Sequence, residues 1–147
     1  MSTGTVRVRV SGLAVRDGAF LAVQHEKDGR RYYMLPGGGA DAGERLRASL
    51  ERELSEELGV TARAGDLLMA CDTIAPDRSR HILHLVLAMQ VEGEARATGS
   101  DARVVGARWI TRAELDGVTF YPDIADWIKG ALESAPTGAP VLAPAWK

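Results

Sequence analysis

Three glutamates, Glu53, Glu56 and Glu57, with Arg52 beside them and Glu44 upstream, are the residues whose types and spacing could do chemistry in this chain. Residues three and four apart share a helix face. At about 100° per residue, the three carboxylates fall within an arc of roughly 100°, and Leu46, Leu50 and Leu54 form the adjoining apolar stripe. Such a helix can be buried on one side and still hold three acids at the edge of that burial. Stability alone does not choose this arrangement. The last turn of a helix favours Lys or Arg because the macrodipole is negative there, yet Glu56 and Glu57 lie just before the terminal Gly59, and neighbouring acids repel one another. A divalent cation is the simplest missing partner. The run Gly37-Gly38-Gly39 ahead of the helix points the same way. Glycine lets the backbone approach another group closely, and free backbone N–H and C=O groups beside carboxylates suit a metal and a phosphate. The plainer reading is a solvated acidic face; the dipole mismatch and the glycines weigh against it.

The flanking chain supplies the scaffold. Val6-Arg7-Val8-Arg9-Val10 alternates strictly, and Thr5 to Val15 reads as a half-buried strand. Asp17-Gly18 is a hairpin signal leading into a second strand, Ala19 to Gln24. A turn at Lys27-Asp28-Gly29-Arg30 precedes a short strand, Arg31 to Leu35, which ends at Pro36. After Gly59 come strands over Thr61–Thr73, His81–Val91 and Val104–Ile110, separated by loops around Ala75–Ser79 and Gly93–Ser100. Thr111 caps a short turn through Glu114, and Asp123–Ser134 carries Ile124, Trp127, Ile128, Ala131 and Leu132 at helical spacing. The expected fold is α+β, a mostly antiparallel or mixed sheet with helices packed on it. It forms one domain over 1–134, followed by a proline-containing irregular tail over 135–147.

Composition limits the partners. The chain has 147 residues, 46% apolar and 26% charged, which is one ordinary globular domain. A net charge of −2 with no basic stripe gives no ground for a nucleic-acid polymer as partner. Cys71 is the sole cysteine, so neither a disulfide framework nor a cysteine metal cluster is available. Met1-Ser2-Thr3-Gly4 lacks the apolar core of a signal peptide, and no apolar run approaches the roughly 18 residues that span a bilayer. A cytoplasmic location without membrane attachment is the expectation.

From Gly38, five residues lead to Glu44, seven more to Arg52-Glu53, then Leu54, Ser55, Glu56-Glu57, Leu58, Gly59 and Val60. This spacing resembles the Nudix box of the Nudix hydrolases at every specified position, and the flanking strands and the 123–134 helix extend the likeness over nearly the whole chain. The resemblance implies an α/β/α sandwich and a Mg²⁺- or Mn²⁺-dependent pyrophosphohydrolase that cleaves a nucleoside diphosphate linked to another group into NMP and phospho-X. It also implies roles for the box. Glu53, Glu56 and Glu57 are the metal ligands with the Gly37 carbonyl. Glu44 makes a water-mediated contact or orients the cluster, Arg52 holds a box glutamate, and the Gly38–Gly39 backbone meets substrate. The same likeness makes a nucleotide-derived small molecule the partner and a homodimer one expected assembly.

One departure matters. Many members carry a further glutamate before the late strand's tryptophan; here Asp101, Ala102 and Arg103 stand at that place, making Asp101 a candidate base. Pro76 occupies the position of a proline found in relatives that act on ADP-ribose, which slightly favours ADP-ribose or an ADP-sugar. Hydrolysis of damaged nucleoside triphosphates and a non-catalytic nucleotide-sensing domain are the alternatives. Tyr32, Tyr33 and Phe120-Tyr121 are candidates for stacking on a base, against the plainer reading of sheet aromatics. His81 and His84, three apart on a strand, face opposite ways and read as ordinary strand histidines. His25 reads as an edge or loop histidine, with a place near the substrate as the lesser alternative, and Cys71 reads as core.

Overall fold

A computed structural model describes residues 4–146. Met1–Thr3, part of the segment read as lacking a signal peptide, and Lys147, the end of the expected tail, lie outside the described residues. The elements are β1 (Val6–Leu13), β2 (Val15–Arg16), β3 (Ala19–Lys27), β4 (Arg30–Met34), β5 (Gly37–Gly39), α1 (Leu46–Leu58), β6 (Thr61–Ile74), β7 (His81–Glu92), β8 (Val104–Thr111), α2 (Arg112–Leu115), α3 (Ala125–Glu133) and β9 (Val141–Leu142).

Two sheets carry the architecture. The larger runs β5-β1-β7-β6-β9. In it β1 is antiparallel to β5 and parallel to β7, β6 is antiparallel to β7, and β9 is parallel to β6. The smaller sheet holds β2, β3 and β4 in order, with β8 on β3, all antiparallel. The α+β expectation with a mixed sheet holds. Two strands carry no sequence signal. β5 is the glycine run itself, a strand by virtue of pairing with β1 rather than by propensity. β9 lies in the tail, where Ala70 N–H donates to the Pro140 carbonyl at 3.0 Å; among the described residues the tail holds no other helix or strand, and it is docked.

Helix α1 forms because its apolar residues repeat at four-residue spacing. Leu50, Leu54 and Leu58 are fully or almost fully buried, packed with Val10, Leu87 and Met89. Complete burial of such a side chain contributes roughly 1.5–3 kcal/mol. Gly59 ends the helix in the left-handed region at φ 66°, its N–H bonded to the Ser55 carbonyl at 3.1 Å. Neither an acid in the first turn nor a base in the last complements the dipole; Glu44 falls before the N-cap, Arg45. The last carbonyls are instead met by the 95–100 loop. Arg96 N–H donates to Leu58 O, Thr98 N–H to Glu57 O, and the Thr98 and Ser100 hydroxyls to Glu56 O. A second core gathers Phe20, Met69, Val86 and Ile110 with Ile124 and Ile128 of the α3 region.

Candidate active site

The carboxylates divide into two groups around Arg52. Its guanidinium donates from Nε and Nη2 to both oxygens of Glu44, at 2.9 and 3.0 Å, and Nη2 also reaches Asp41 at 3.3 Å. Nη1 donates to Glu53 at 3.3 Å and to Glu56 at 3.1 Å. The fork holds Glu44 below the usual carboxylate range and raises the guanidinium's own pKa through the same bond. Glu53 and Glu57 lie on the inner side, half-buried, lining a cavity of about 480 Å³. Burial pushes the Glu57 carboxyl up to about 7, with the neighbouring Glu53 adding to the rise and Arg9 opposing it.

The glycine strand is what lets the helix come so close. A Cβ on Gly38 would stand 2.4 Å from Cδ of Glu53, and one on Gly37 would stand 2.0 Å from the Val10 carbonyl oxygen. Any larger residue at either place would push β5 off the carboxylates or off β1.

The cavity continues across the sheet. Arg9 pairs in register with Gly39 on one side and His84 on the other, and its Nη2 donates to the Leu35 carbonyl at 3.1 Å. Burial pulls its guanidinium below the ordinary value, opposed by Glu57 and Glu53. His25 and His84 are buried cavity residues, each with an Nε2 that has no hydrogen-bond partner. Burial, followed by the charge of Arg9, drives both imidazoles down to about 4, so both are neutral at pH 7. Asp101 also reaches the cavity, but Arg103 grips it from Nε at 3.2 Å and Nη2 at 3.1 Å and holds it below the usual range.

Several sequence expectations need correction. Tyr33 is buried with its hydroxyl accepting from Arg108 Nη1 at 3.3 Å; strand alternation gives the cavity Tyr32 instead. Pro76 is exposed in the β6–β7 loop and does not line the cavity, which takes Arg80 from the end of that loop. His25 is a buried residue of β3, not an edge or loop histidine, and His84 is not an ordinary strand histidine. His81 behaves as one, its Nε2 lying 2.6 Å from Asp72. Gly38, Gly39, Glu53, Glu57 and Asp101 meet at the cavity, while Arg52, Glu44 and Glu56 form the ion-pair network behind it. Arg9 was hidden in the Val/Arg alternation, which shows only that it faces away from the valines; its pairing with Gly39 has no local signal.

Among the described residues, no three His, Cys, Asp or Glu side chains stand ready to share one ion, Glu44 and Glu56 being paired with Arg52. The donor chemistry nevertheless suits a hard divalent cation. Two adjacent half-buried carboxylates, one of them with its pKa driven up by burial and the other acid, face backbone that only glycine permits.

A mixed sheet bearing an acidic helix, with a glycine strand packed on its carboxylates, defines a scaffold for phosphoanhydride hydrolysis. The NUDIX domain family model matches residues 5–129. A Mycobacterium tuberculosis protein provisionally named 8-oxo-dGTP diphosphatase 2 is 36% identical over 129 residues, covering 83% of this chain and 85% of its own. The phosphatase NudJ of Escherichia coli is 28% identical over 108 residues, covering 74% and 70%. Among solved structures, the MutT NUDIX hydrolase of Burkholderia pseudomallei superposes with a TM-score of 0.72 at 27% identity, covering 90% of this chain and 99% of that one. The chain belongs to the Nudix hydrolases. It is a hydrolase of a family that includes pyrophosphatases acting on small nucleotide-derived substrates and generally requiring divalent metal ions. Among the described residues, no helix is long and apolar enough to cross a membrane.

Proposed function

We propose that this enzyme cleaves the pyrophosphate bond of a nucleoside diphosphate linked to X, releasing NMP and phospho-X, with a nucleoside triphosphate (X a phosphate) as the leading substrate class. The observation that carries the reading is one of charge. The Glu53–Glu57 pair occupies one end of a cavity lined by Arg7, Arg9, Lys27, Arg30, Arg80 and Arg103. Those cations suit a polyanion, whereas the acid pair by itself would repel one. That combination makes sense for a phosphorylated substrate that arrives with, or onto, a divalent cation.

Glu53 and Glu57 would hold Mg²⁺ or Mn²⁺ with the Gly37 carbonyl, Glu56 would join them only on leaving Arg52, and Glu44 would be an orienting group. The chemistry such an ion would supply there is charge neutralisation of the diphosphate and a lowered pKa for an attacking water. The chain's own residues do the positioning. Arg52 fixes Glu44 and steadies Glu53 and Glu56, Arg9 faces the substrate from β1, and the backbone of Gly38 and Gly39 leaves room for the phosphates. The carboxylate pair, not the Arg103-bound Asp101, is the candidate proton acceptor. Pro76, the feature that favoured ADP-ribose, is away from the cavity, and the 36% identical relative is named for a nucleoside triphosphate. Both support the triphosphate reading over ADP-sugars.

The test is a panel of normal and oxidised nucleoside triphosphates, ADP-ribose, ADP-sugars and dinucleoside polyphosphates, assayed with Mg²⁺ and with Mn²⁺. The expected result is metal-dependent release of nucleoside monophosphate, fastest from a triphosphate. Faster cleavage of ADP-ribose would return the substrate to the ADP-sugar class. A flat panel with tight binding of one compound would turn the reading into a sensing domain.

A further inference from the structure

The register of the larger sheet sets Gly39, Arg9, His84, Cys71 and Leu142 side by side in one row across all five strands. Adjacent strands lie about 4.8 Å apart, so the row spans roughly 19 Å. At one end is the glycine strand against Glu53; at the other is the tail strand β9. The cavity extends over part of this row, and its far wall is made by Tyr121, Arg80 and Trp146. Trp146 comes from the irregular chain after β9, a segment with no role in the catalytic box.

These groups are arranged for a flat ligand with a polar edge. The Tyr121 ring meets His84 edge-to-face, centroids 5.9 Å apart, and meets Trp146 the same way at 6.0 Å. The Arg80 guanidinium stands 5.4 Å over the Trp146 ring, holding it and adding positive charge beside it. Trp146 is only partly buried. His84 is 2% exposed, and its Nε2 faces no partner in the protein. Buried polar atoms are rarely left unpaired, so an orphan in a cavity wall marks a place where a ligand atom completes the bond. A neutral imidazole donates or accepts there according to tautomer.

We propose that Trp146, with Tyr121 and the unpaired Nε2 of His84, forms the nucleobase subsite of this enzyme, so that the C-terminal tail is part of the substrate site. The proposal rests on reading the cavity as a nucleotide site. Phosphates placed by the carboxylates and Arg9 leave the remainder of a nucleotide directed along the row toward β9. The indole supplies a stacking face that tolerates any base, and His84 supplies the edge contact that discriminates among bases. Trp146 is thus a base-binding residue contributed by the segment of the fold that carries the least local sequence signal.

Binding without turnover tests this separately from catalysis. AMP, GMP, CMP and UMP are titrated against the full-length chain, with ribose 5-phosphate as a base-free control. Intrinsic fluorescence and calorimetry give the two readouts. At least one mononucleotide is expected to bind more tightly than ribose 5-phosphate and to quench tryptophan emission. Trp146→Ala is expected to weaken that mononucleotide about tenfold, to abolish the quench although Trp109 and Trp127 remain, and to leave ribose 5-phosphate binding unchanged; Trp146→Phe restores most of the affinity. On a cleaved triphosphate, Trp146→Ala is expected to raise KM with kcat little changed. His84→Gln is expected to reorder the preference among the four bases. Equal affinity of wild type and Trp146→Ala for every mononucleotide would overturn the subsite, as would a parallel loss of ribose 5-phosphate binding, which marks the tail as merely structural. An unchanged base ranking in His84→Gln would remove the edge contact from the proposal. A chain that binds bases through Trp146 but cleaves nothing sinks the hydrolase reading alone, whereas cleavage indifferent to Trp146 sinks the subsite alone.

Discussion

The two ends of the cavity are built in opposite ways. The carboxylate end is local: Glu44, Arg52, Glu53, Glu56 and Glu57 come from one short stretch, and the Arg52 guanidinium ties Asp41, Glu44, Glu53 and Glu56 together. The aromatic end is assembled from distant segments, with His84 on β7, Tyr121 in the loop before α3 and Trp146 beyond β9. Charge is densely paired at the first, and the Nε2 of His84 has no partner in the protein at the second. A reaction centre needs fixed geometry for every substrate, which one helix supplies through its own repeat. A recognition surface needs only shape and a few polar contacts, and it can draw on whatever the fold brings alongside.

Substitutions at the two ends should therefore behave differently. The largest effect belongs to Glu57→Gln and Glu53→Gln, each expected to lower kcat by about 10²–10⁴-fold while circular dichroism and thermal unfolding stay close to wild type. Near-wild-type, metal-dependent turnover in both would break the assignment of chemistry to this end. Next comes Gly38→Ala. Its Cβ must displace the Glu53 carboxylate, 2.4 Å away at Cδ, and a misplacement on that scale is expected to cost on the order of 100-fold in kcat/KM. Retention of full activity would show that Glu53 need not sit against β5.

A smaller effect should appear in stability against pH. For His84 the unfolded value is 6.5 and the folded value about 4. The unfolded chain therefore binds the extra proton between these limits, and stability falls as pH drops from about 6.5 toward about 4. The slope is at most about 1.4 kcal/mol per pH unit for one such group. Glu57 opposes it: its folded value of about 7 exceeds the ordinary 4.5, so its contribution rises as pH falls from about 7 to 4.5 in metal-free buffer. Urea unfolding of wild type and His84→Gln in chelator, at pH 7 and pH 5, isolates the histidine. The variant should gain on wild type at pH 5, and parallel pH profiles would show His84 protonated in the fold or already open to solvent. The smallest effect is expected of Pro76→Ala, within about twofold in kcat/KM, in line with a surface change away from the site. A marked substrate shift in that variant would return the β6–β7 loop to the specificity side of the comparison.

Legibility followed the same division. The buried Leu50 and Leu54 of α1 and its terminal glycine were readable, because a helix satisfies its hydrogen bonds within itself and its repeat shows in the sequence; its start was not, since Glu44 lies before the N-cap and Leu46 of the expected apolar stripe is exposed. The long strands were readable through alternation and apolar runs. β5 was not, since three glycines have no strand propensity and are a strand only because β1 accepts them. β9 was not, since two residues among prolines pair only where β6 offers an edge. The capping of α1 by Thr98 and Ser100 was equally hidden. It partly answers the dipole argument, because the terminal carbonyls are met by neutral donors, and Arg52 meets the Glu53 and Glu56 side chains.

The residue spacing from Gly38 to Val60 was enough to specify a helix and its buried face, because those depend on contacts within a few turns of one chain segment; the class of reaction at its edge came from the resemblance of that spacing to the Nudix box. Tertiary structure alone decided that Arg9 and His84 continue the row from Gly39, that Tyr32 and not Tyr33 lines the cavity, and that Trp146 reaches it from the tail. Strand register and tail docking are long-range choices, made by packing and by the pairing of sheet edges. No local pattern carries them.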